Sequence, residues 1–136
     1  MWKRLVAAAL LSALAGCSTG NDLPMAQAGV ATFHQMLNAQ QFDAIYADSG
    51  ADMKKASTQA DMVQLFAAVH RKLGNFQSGA VRDWSDNPTM SGHYVTVRYP
   101  AKYDNASVVE TFVYRIDGGH VLLTTYFINS TYMITH

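Results

Sequence analysis

Hydrophobic residues between positions 24 and 74 recur every three or four positions, as they do along one face of an α-helix. Thr58 and Asp61 have the spacing of a helix N-cap, and Gly74 stands where a helix that begins there would end. We therefore predict three helices, the first beginning near Pro24. Their apolar stripes are Val30, Phe33 and Leu37; Phe42, Ile45 and Tyr46; and Met62, Leu65, Phe66, Val69 and Leu73.

After Gly74 the hydrophobic spacing changes to two, which is the spacing of a β-strand. Strand-like segments cover residues 76–84, 92–99, 108–116 and 120–129, with turn-forming residues at 86–88, 100–105 and 117–119 between them. Two adjacent glycines at 118 and 119 are typical of a tight hairpin. The order of elements predicts an α+β domain in which N-terminal helices pack on a curved, four-stranded antiparallel sheet.

One strand of this sheet carries the candidate chemistry. Glu110 is the only glutamate of the chain and lies in the middle of an apolar strand, where a carboxylate must be paired, protonated or close to solvent. The predicted turn sets Glu110 opposite Phe127, and we expect Arg98 of the preceding strand to form an ion pair with it. Three roles stay open for this carboxylate: a structural ion pair, a polar anchor in a binding pocket, or a general base with a raised pKa. The residues predicted to bind a ligand on this face are Tyr94, Arg98, Glu110, Phe112 and Tyr114.

The first seventeen residues have the pattern of a targeting segment. Lys3 and Arg4 precede a short apolar run at 5–13, which is too short to span a bilayer as a helix. The following Leu-Ala-Gly-Cys resembles the lipobox of bacterial lipoproteins, which implies acylation of Cys17; the alternative is an ordinary signal peptide with an incidental cysteine. We therefore expect a signal peptide at 1–16, an acylated cysteine and tether at 17–23, and a single domain at 24–136. Ser18, in place of the aspartate of many inner-membrane lipoproteins, favours the periplasmic face of the outer membrane.

Charge and composition exclude several classes of function. Lys and Arg together number 10, as do Asp and Glu, and removal of the signal peptide leaves a slight acidic excess without any basic block. We therefore expect no binding to nucleic acid, which requires cations to neutralise phosphates. The five histidines show no metal-ligand spacing and are expected at the surface, so the sequence predicts no metal and no cofactor.

The order of elements resembles the nuclear transport factor 2-like, or cystatin-like, superfamily of curved sheets wrapped on helices. The resemblance covers roughly residues 28–129. It is carried by the helix Phe33–Leu37, the Gln41–Tyr46 segment, the helix Gln64–Leu73 that ends in Leu73-Gly74, and the strand segments 109–113 and 126–128. It is closer still to small bacterial lipoproteins of unknown function within that superfamily. Relatives often carry a tryptophan at the start of the last strand, where this chain has His120. The resemblance implies a fold and no particular chemistry.

Both faces of the predicted sheet are rich in apolar side chains, although a sheet with one covered face usually alternates with polar residues. We expect helices, a dimer partner or a ligand to cover the second face; strong curvature of the sheet is the alternative. The sequence thus predicts a membrane-anchored, periplasm-facing module that binds an envelope protein, a second copy of itself or a small apolar ligand. The alternative is a small isomerase or dehydratase that uses Glu110 in an aromatic pocket.

Overall fold

A computed structural model describes residues 22–136, and the predicted signal peptide and Cys17 lie outside the described residues. Five helices and five strands follow one another within this part of the chain. The helices are α1 (Asp22–Asn38), α2 (Phe42–Ala47), α3 (Ala51–Ala56), α4 (Gln59–Leu73) and α5 (Thr131–Thr135). The strands are β1 (Phe76–Gly79), β2 (Asp83–Thr89), β3 (Gly92–Tyr103), β4 (Ser107–Asp117) and β5 (His120–Asn129).

The three predicted helices are confirmed as α1, α2 and α4. The Thr58 side chain accepts a hydrogen bond from the backbone N–H of Asp61, so the predicted N-cap is present. Gly74 ends α4 at φ +79°, a conformation that favours glycine, and its N–H donates to the His70 carbonyl. The structure adds the short helices α3 and α5, and α1 begins at Asp22, within the segment predicted as a tether.

The predicted α+β class is confirmed, with an antiparallel sheet of five strands instead of four. The strand order is β1-β3-β4-β5, and β2 also pairs with β3. The predicted strand at 76–84 is interrupted, so that β1 and β2 lie along successive parts of the same edge of β3.

A proline predicted to end a strand instead lies inside β3. The Pro100 carbonyl accepts a hydrogen bond from Ala80 in the gap between β1 and β2. Since the N–H and C=O of one strand residue point toward the same neighbour, the N–H that Pro100 lacks would face this gap. The long strand β3 therefore continues through Pro100 without losing a ladder bond to β4.

The register of the sheet differs from the prediction at two places. The pairing of Tyr114 with Leu123 is confirmed, but a bulge between Val113 and Tyr114 shifts the remaining pairs, and Glu110 lies opposite Ile128. On the other side, β3 is displaced by one residue from the predicted register. Because a one-residue slip exchanges the two faces of a strand, Val95 and Val97 lie on the face of Glu110, while Tyr94 and Arg98 lie on the opposite face.

Helices α1 and α4 cover the inner face of the sheet, which carries Glu110. Phe33 of α1 is at the centre of this core, with its ring centroid 5.7 Å from that of Phe66 in α4 and 5.0 Å from that of Phe112 in β4. Phe33, Phe66 and Phe112 are all 2% exposed or less. The large apolar side chains of the three elements are therefore removed from water together.

Part of the outer face is covered by α3, in line with the expected cover over the second face. Asp52 of α3 accepts a hydrogen bond from the Tyr94 hydroxyl at 3.0 Å and lies 3.7 Å from the Arg115 guanidinium. The N–H of Gly50, just before α3, donates to the Leu123 carbonyl and ties this segment to β5. Within residues 22–136, no helix is both long enough and apolar enough to cross a membrane.

Candidate functional site

Glu110 is completely buried and accepts hydrogen bonds from three different elements. His34 of α1 lies with Nε2 2.7 Å from Oε1, while the hydroxyls of Tyr103 in β3 and Tyr126 in β5 donate to Oε2 at 2.8 and 2.5 Å. Both carboxylate oxygens are thus satisfied by protein groups, which is what allows a carboxylate to remain in the core. We call Glu110, His34, Tyr103 and Tyr126 the carboxylate cluster.

His34 is 3% exposed, so the prediction of a surface position for this histidine is wrong. Its ring stacks on Phe76, with centroids 3.6 Å apart and planes 2° apart, and its Nδ1 has no hydrogen-bond partner among the described residues. Because the carboxylate accepts from Nε2, the proton of a neutral ring belongs on Nε2. The sequence did contain a signal for burial: His34 follows Val30 by four positions and is adjacent to Phe33, so it lies on the apolar side of the predicted helix.

The predicted ion pair between Arg98 and Glu110 is wrong. The register places Arg98 on the outer face, where its guanidinium contacts the Asp83 carboxylate. That contact and the neighbouring Arg82 hold the pKa of Asp83 below its usual value. The partner of Glu110 is instead His34, 76 positions away in the sequence. Because His34 lies in a helix, the register of the strands could not predict this contact.

The five residues predicted to bind a ligand do not meet in one pocket. Glu110 and Phe112 belong to the buried core, and Tyr94 and Arg98 lie on the outer face. Of the five, only Tyr114 lines an apolar pocket that the described residues form beside α1. A shared binding role for all five remains a prediction, and it is not the arrangement the geometry favours.

That pocket lies between α1, the α2 region and the strand ends of β4 and β5, and its cavity volume is about 280 Å³. Its buried residues are Phe33, Ile45, Tyr114 and Leu123, and its partly exposed ones are Met25, Met36, Gly29 and Val121. Three exposed residues complete the lining: Ala28, Thr32 and Asp48. We call this the α1 pocket. It has a mainly apolar lining and few polar groups, as small-molecule sites usually do.

Tyr114 has a buried hydroxyl without a hydrogen-bond partner among the described residues. A Cβ placed on Gly29 would come within 2.9 Å of Tyr114 Cζ, the atom that bears this hydroxyl. Gly29 therefore permits the close approach of α1 to the tyrosine ring. An unpaired buried hydroxyl is costly, and such groups in native proteins are few.

The tyrosines around Glu110 resist ionisation. Burial, and after it the negative charge of Glu110, raises the pKa of Tyr103, Tyr114 and Tyr126 well above the usual value near 10. Each hydroxyl therefore keeps its proton over the physiological range. Tyr103 and Tyr126 use it to donate to the carboxylate.

Chemically, the carboxylate cluster and the α1 pocket are separate. Neither Glu110 nor His34 lines the pocket, and Glu110 has no exposed surface through which a substrate could reach it. Glu110 is therefore a structural carboxylate in the core, and the α1 pocket is a separate apolar cavity open to solvent.

A family model described as "Protein of unknown function (DUF3887)" matches residues 30–118. The match covers more than half of the chain, which therefore belongs to the DUF3887 family. It extends from α1 to the end of β4 and so includes His34, Tyr103 and Glu110, but not Tyr126 of β5. Comparison with curated proteins and with solved structures finds no match.

Removal of the Glu110 side chain is expected to destabilise the fold strongly. Glu110→Ala leaves an imidazole and two tyrosine hydroxyls buried without their acceptor, and we expect a loss of about 3–5 kcal/mol in the free energy of unfolding. Glu110→Gln retains one acceptor oxygen and is expected to cost about 1–3 kcal/mol. Urea denaturation followed by circular dichroism measures both.

Asp117→Asn is the matched control for these two variants, because Asp117 is an exposed carboxylate at the end of the same strand. Its expected effect is within about 0.5 kcal/mol of the wild type. A loss below about 1 kcal/mol for Glu110→Ala would contradict the structural role of the carboxylate cluster.

The protein is expected to lose stability as the pH rises above 10. The unfolded chain releases tyrosine protons near pH 10, while Tyr103, Tyr114 and Tyr126 keep theirs in the fold because their pKa values are raised. The folded state then binds more protons than the unfolded state, so each of these tyrosines removes about 1.4 kcal/mol per pH unit in that range.

Tyr114→Phe tests this assignment, because its hydroxyl has no partner within residues 22–136. Because removal of an unpaired buried hydroxyl costs no hydrogen bond, the variant should be at least as stable as the wild type at pH 7 and show a shallower decline above pH 10. Urea titrations at several pH values give both quantities. A decline as steep as that of the wild type would show that Tyr114 ionises normally in the fold.

Proposed function

We propose that this protein is a binding module of the bacterial cell envelope that takes up a small, mostly apolar ligand in the α1 pocket. The observation that carries the proposal is the α1 pocket itself, an apolar cavity of about 280 Å³ floored by Tyr114, whose hydroxyl lacks a partner among the described residues. Apolar walls supply binding free energy through the removal of ligand surface from water. A few polar groups at such a site orient the ligand.

The lining also indicates the charge of the ligand. Among the described residues, exposed Asp48 is the only carboxylate that lines the α1 pocket, and no lysine, arginine or histidine does so. An anionic ligand such as a fatty acid would lose its hydration there without gaining a cation. The pocket therefore favours a neutral ligand, or one with a hydrogen-bond donor or positive charge at the Asp48 end.

Two flexible side chains suit the α1 pocket to ligands of varied shape. Met25 and Met36 line the walls from the same helix, and both are partly exposed. Methionine is unbranched and polarizable, so it adapts to irregular apolar surfaces. A module of this kind accommodates a class of related compounds.

Catalysis by Glu110 receives less support than binding. The alternative of an isomerase or dehydratase requires a substrate proton within reach of the carboxylate. Glu110 is enclosed, and both of its oxygens are already in hydrogen bonds. The nuclear transport factor 2-like resemblance remains a prediction about the fold and adds no chemistry to this site.

The envelope location rests on the sequence of the first seventeen residues. We propose cleavage before Cys17 and acylation of that residue, with the domain facing the periplasm from the outer membrane. Two acyl chains are enough for stable anchoring. The anchor would hold the binding domain close to the membrane and to envelope proteins.

Ligand binding is expected to depend on the mouth of the α1 pocket. Ala28→Leu places a larger side chain at the pocket lining, and we expect at least about tenfold weaker binding of the neutral dye Nile red, measured by its fluorescence. Ala31→Leu is the matched control, since Ala31 is also exposed on α1 but does not line the pocket. Equal dye affinity in the two variants would overturn the assignment of the ligand to this pocket.

Native mass spectrometry identifies the natural ligand of the pocket, and it uses the Cys17→Ser protein, which is expected in the soluble periplasm. A reproducible extra mass, lost in Ala28→Leu and retained in Ala31→Leu, would identify the ligand class directly. A mass that corresponds to two chains without any ligand would favour the dimer instead.

Acylation predicts where the protein is found after cell fractionation. The wild type is expected in the membrane fraction, and Cys17→Ser in the soluble periplasmic fraction, because only the first has acyl chains. Ser18→Ala serves as the control and should stay with the membrane. A wild-type protein found free in the periplasm would refute the lipid anchor.

A further inference from the structure

We propose that Asp22, Asp86 and His93 form a binding site for one divalent transition metal ion of the zinc type. The three residues come from α1, β2 and β3, and one ligand atom of each lies within 4.8 Å of the others. This site is distinct from the α1 pocket and from the carboxylate cluster. It requires nothing from the proposed ligand-binding function.

The geometry of the three side chains suits a metal centre. His93 Nε2 is 3.3 Å from Asp22 Oδ2 and also contacts Asp86 Oδ1. Two ligands bonded at 2.0–2.1 Å to a tetrahedral zinc ion lie about 3.3 Å apart, which is the spacing of His93 and Asp22. His93 and Asp86 lie closer together than this, so their side chains would move apart around the ion. An imidazole nitrogen with two carboxylate oxygens is a donor set that zinc accepts, and water supplies the fourth position.

The hairpin of β2 and β3 holds two of the ligands in place. Asp86 and His93 lie on the same face of this hairpin, close to its turn, where Pro88 is paired with His93. The Thr89 hydroxyl donates to the Gly92 carbonyl at 2.8 Å and accepts from the Gly92 N–H at 3.1 Å, which secures the turn. The third ligand, Asp22, lies in the first turn of α1.

The charges of the cluster favour a cation. Among the described residues, neither Asp22 nor Asp86 forms an ion pair with a lysine or an arginine. The nearby Arg115 lies against Gly92 but interacts with Asp52 on the outer face. A divalent ion would neutralise two carboxylates that otherwise repel each other.

The exposure of the three side chains fits an ion that reaches its site from solvent. Their exposed fractions are 15% for Asp22, 24% for Asp86 and 32% for His93. Calcium and magnesium usually take six or more ligands, nearly all of them oxygen, so this nitrogen-containing set of three disfavours them. A bound ion would join the start of α1, which lies within the segment predicted as a tether, to the edge hairpin of the sheet.

Isothermal titration with zinc chloride tests the site in protein without a polyhistidine tag. The titrations use a Cys17→Ser background, because a free thiolate also binds zinc. We expect one equivalent of zinc to bind and the midpoint of thermal unfolding to rise, since the ion binds the folded state. Asp86→Asn and His93→Gln are each expected to weaken zinc binding at least about tenfold.

The matched control is the double variant Asp117→Asn with His120→Gln. Asp117 and His120 are paired with each other at the end of the β4–β5 hairpin. They are the same two residue types as Asp86 and His93, but among the described residues they do not belong to a group of three possible metal ligands. The control should retain wild-type zinc affinity. Absence of zinc binding, equal affinity in all variants or an equal loss in the control would each overturn the proposal. Should His93→Gln fold poorly by circular dichroism, Asp22→Asn provides a conservative replacement at the third ligand.

Discussion

The burial of one carboxylate constrains the arrangement of most of this domain. Glu110 has no contact with solvent, so each of its oxygens must find a protein donor, and the donors come from α1, β3 and β5. The hydrogen bond from His34 thereby fixes the position of α1 along the sheet and its rotation about its own axis. If α1 turned away, His34 would leave the carboxylate and Phe33 would leave the aromatic core. The apolar packing and the polar network thus require the same position of the helix.

Along α1, the residue that stabilises the fold through the carboxylate cluster is separate from the residues that line the α1 pocket. His34 faces the interior of the sheet, whereas Gly29, one turn earlier, approaches the ring of Tyr114 at the α1 pocket. Further toward the start of the helix, Asp22 reaches the β2–β3 hairpin. A single helix therefore contributes to three distinct places on the domain. A rigid helix suits the proposed binding role, because a preformed pocket avoids the entropy of ordering on ligand binding.

The sequence was informative wherever local physical chemistry decides the structure. The cap of α4 by Thr58 and its end at Gly74 follow from hydrogen-bonding needs at helix ends, and both predictions are confirmed. The hairpin turn at the two glycines is also confirmed, together with the first pairs beyond it. The prediction was wrong beyond the bulge at Val113, because an extra residue in one strand leaves no local signal in an apolar segment.

The fold class, three of the helices and the unusual position of the only glutamate were determined by the sequence alone. Periodicity, capping and turn residues act over a few positions, and they are readable without knowledge of the rest of the chain. The tertiary structure decided which face of β3 is buried, and with it that Glu110 meets His34 and not Arg98. It also decided that Asp22 meets the β2–β3 hairpin and that α1 encloses a pocket. These outcomes depend on the packing of elements that are distant in sequence, where a shift of one residue exchanges buried and exposed side chains.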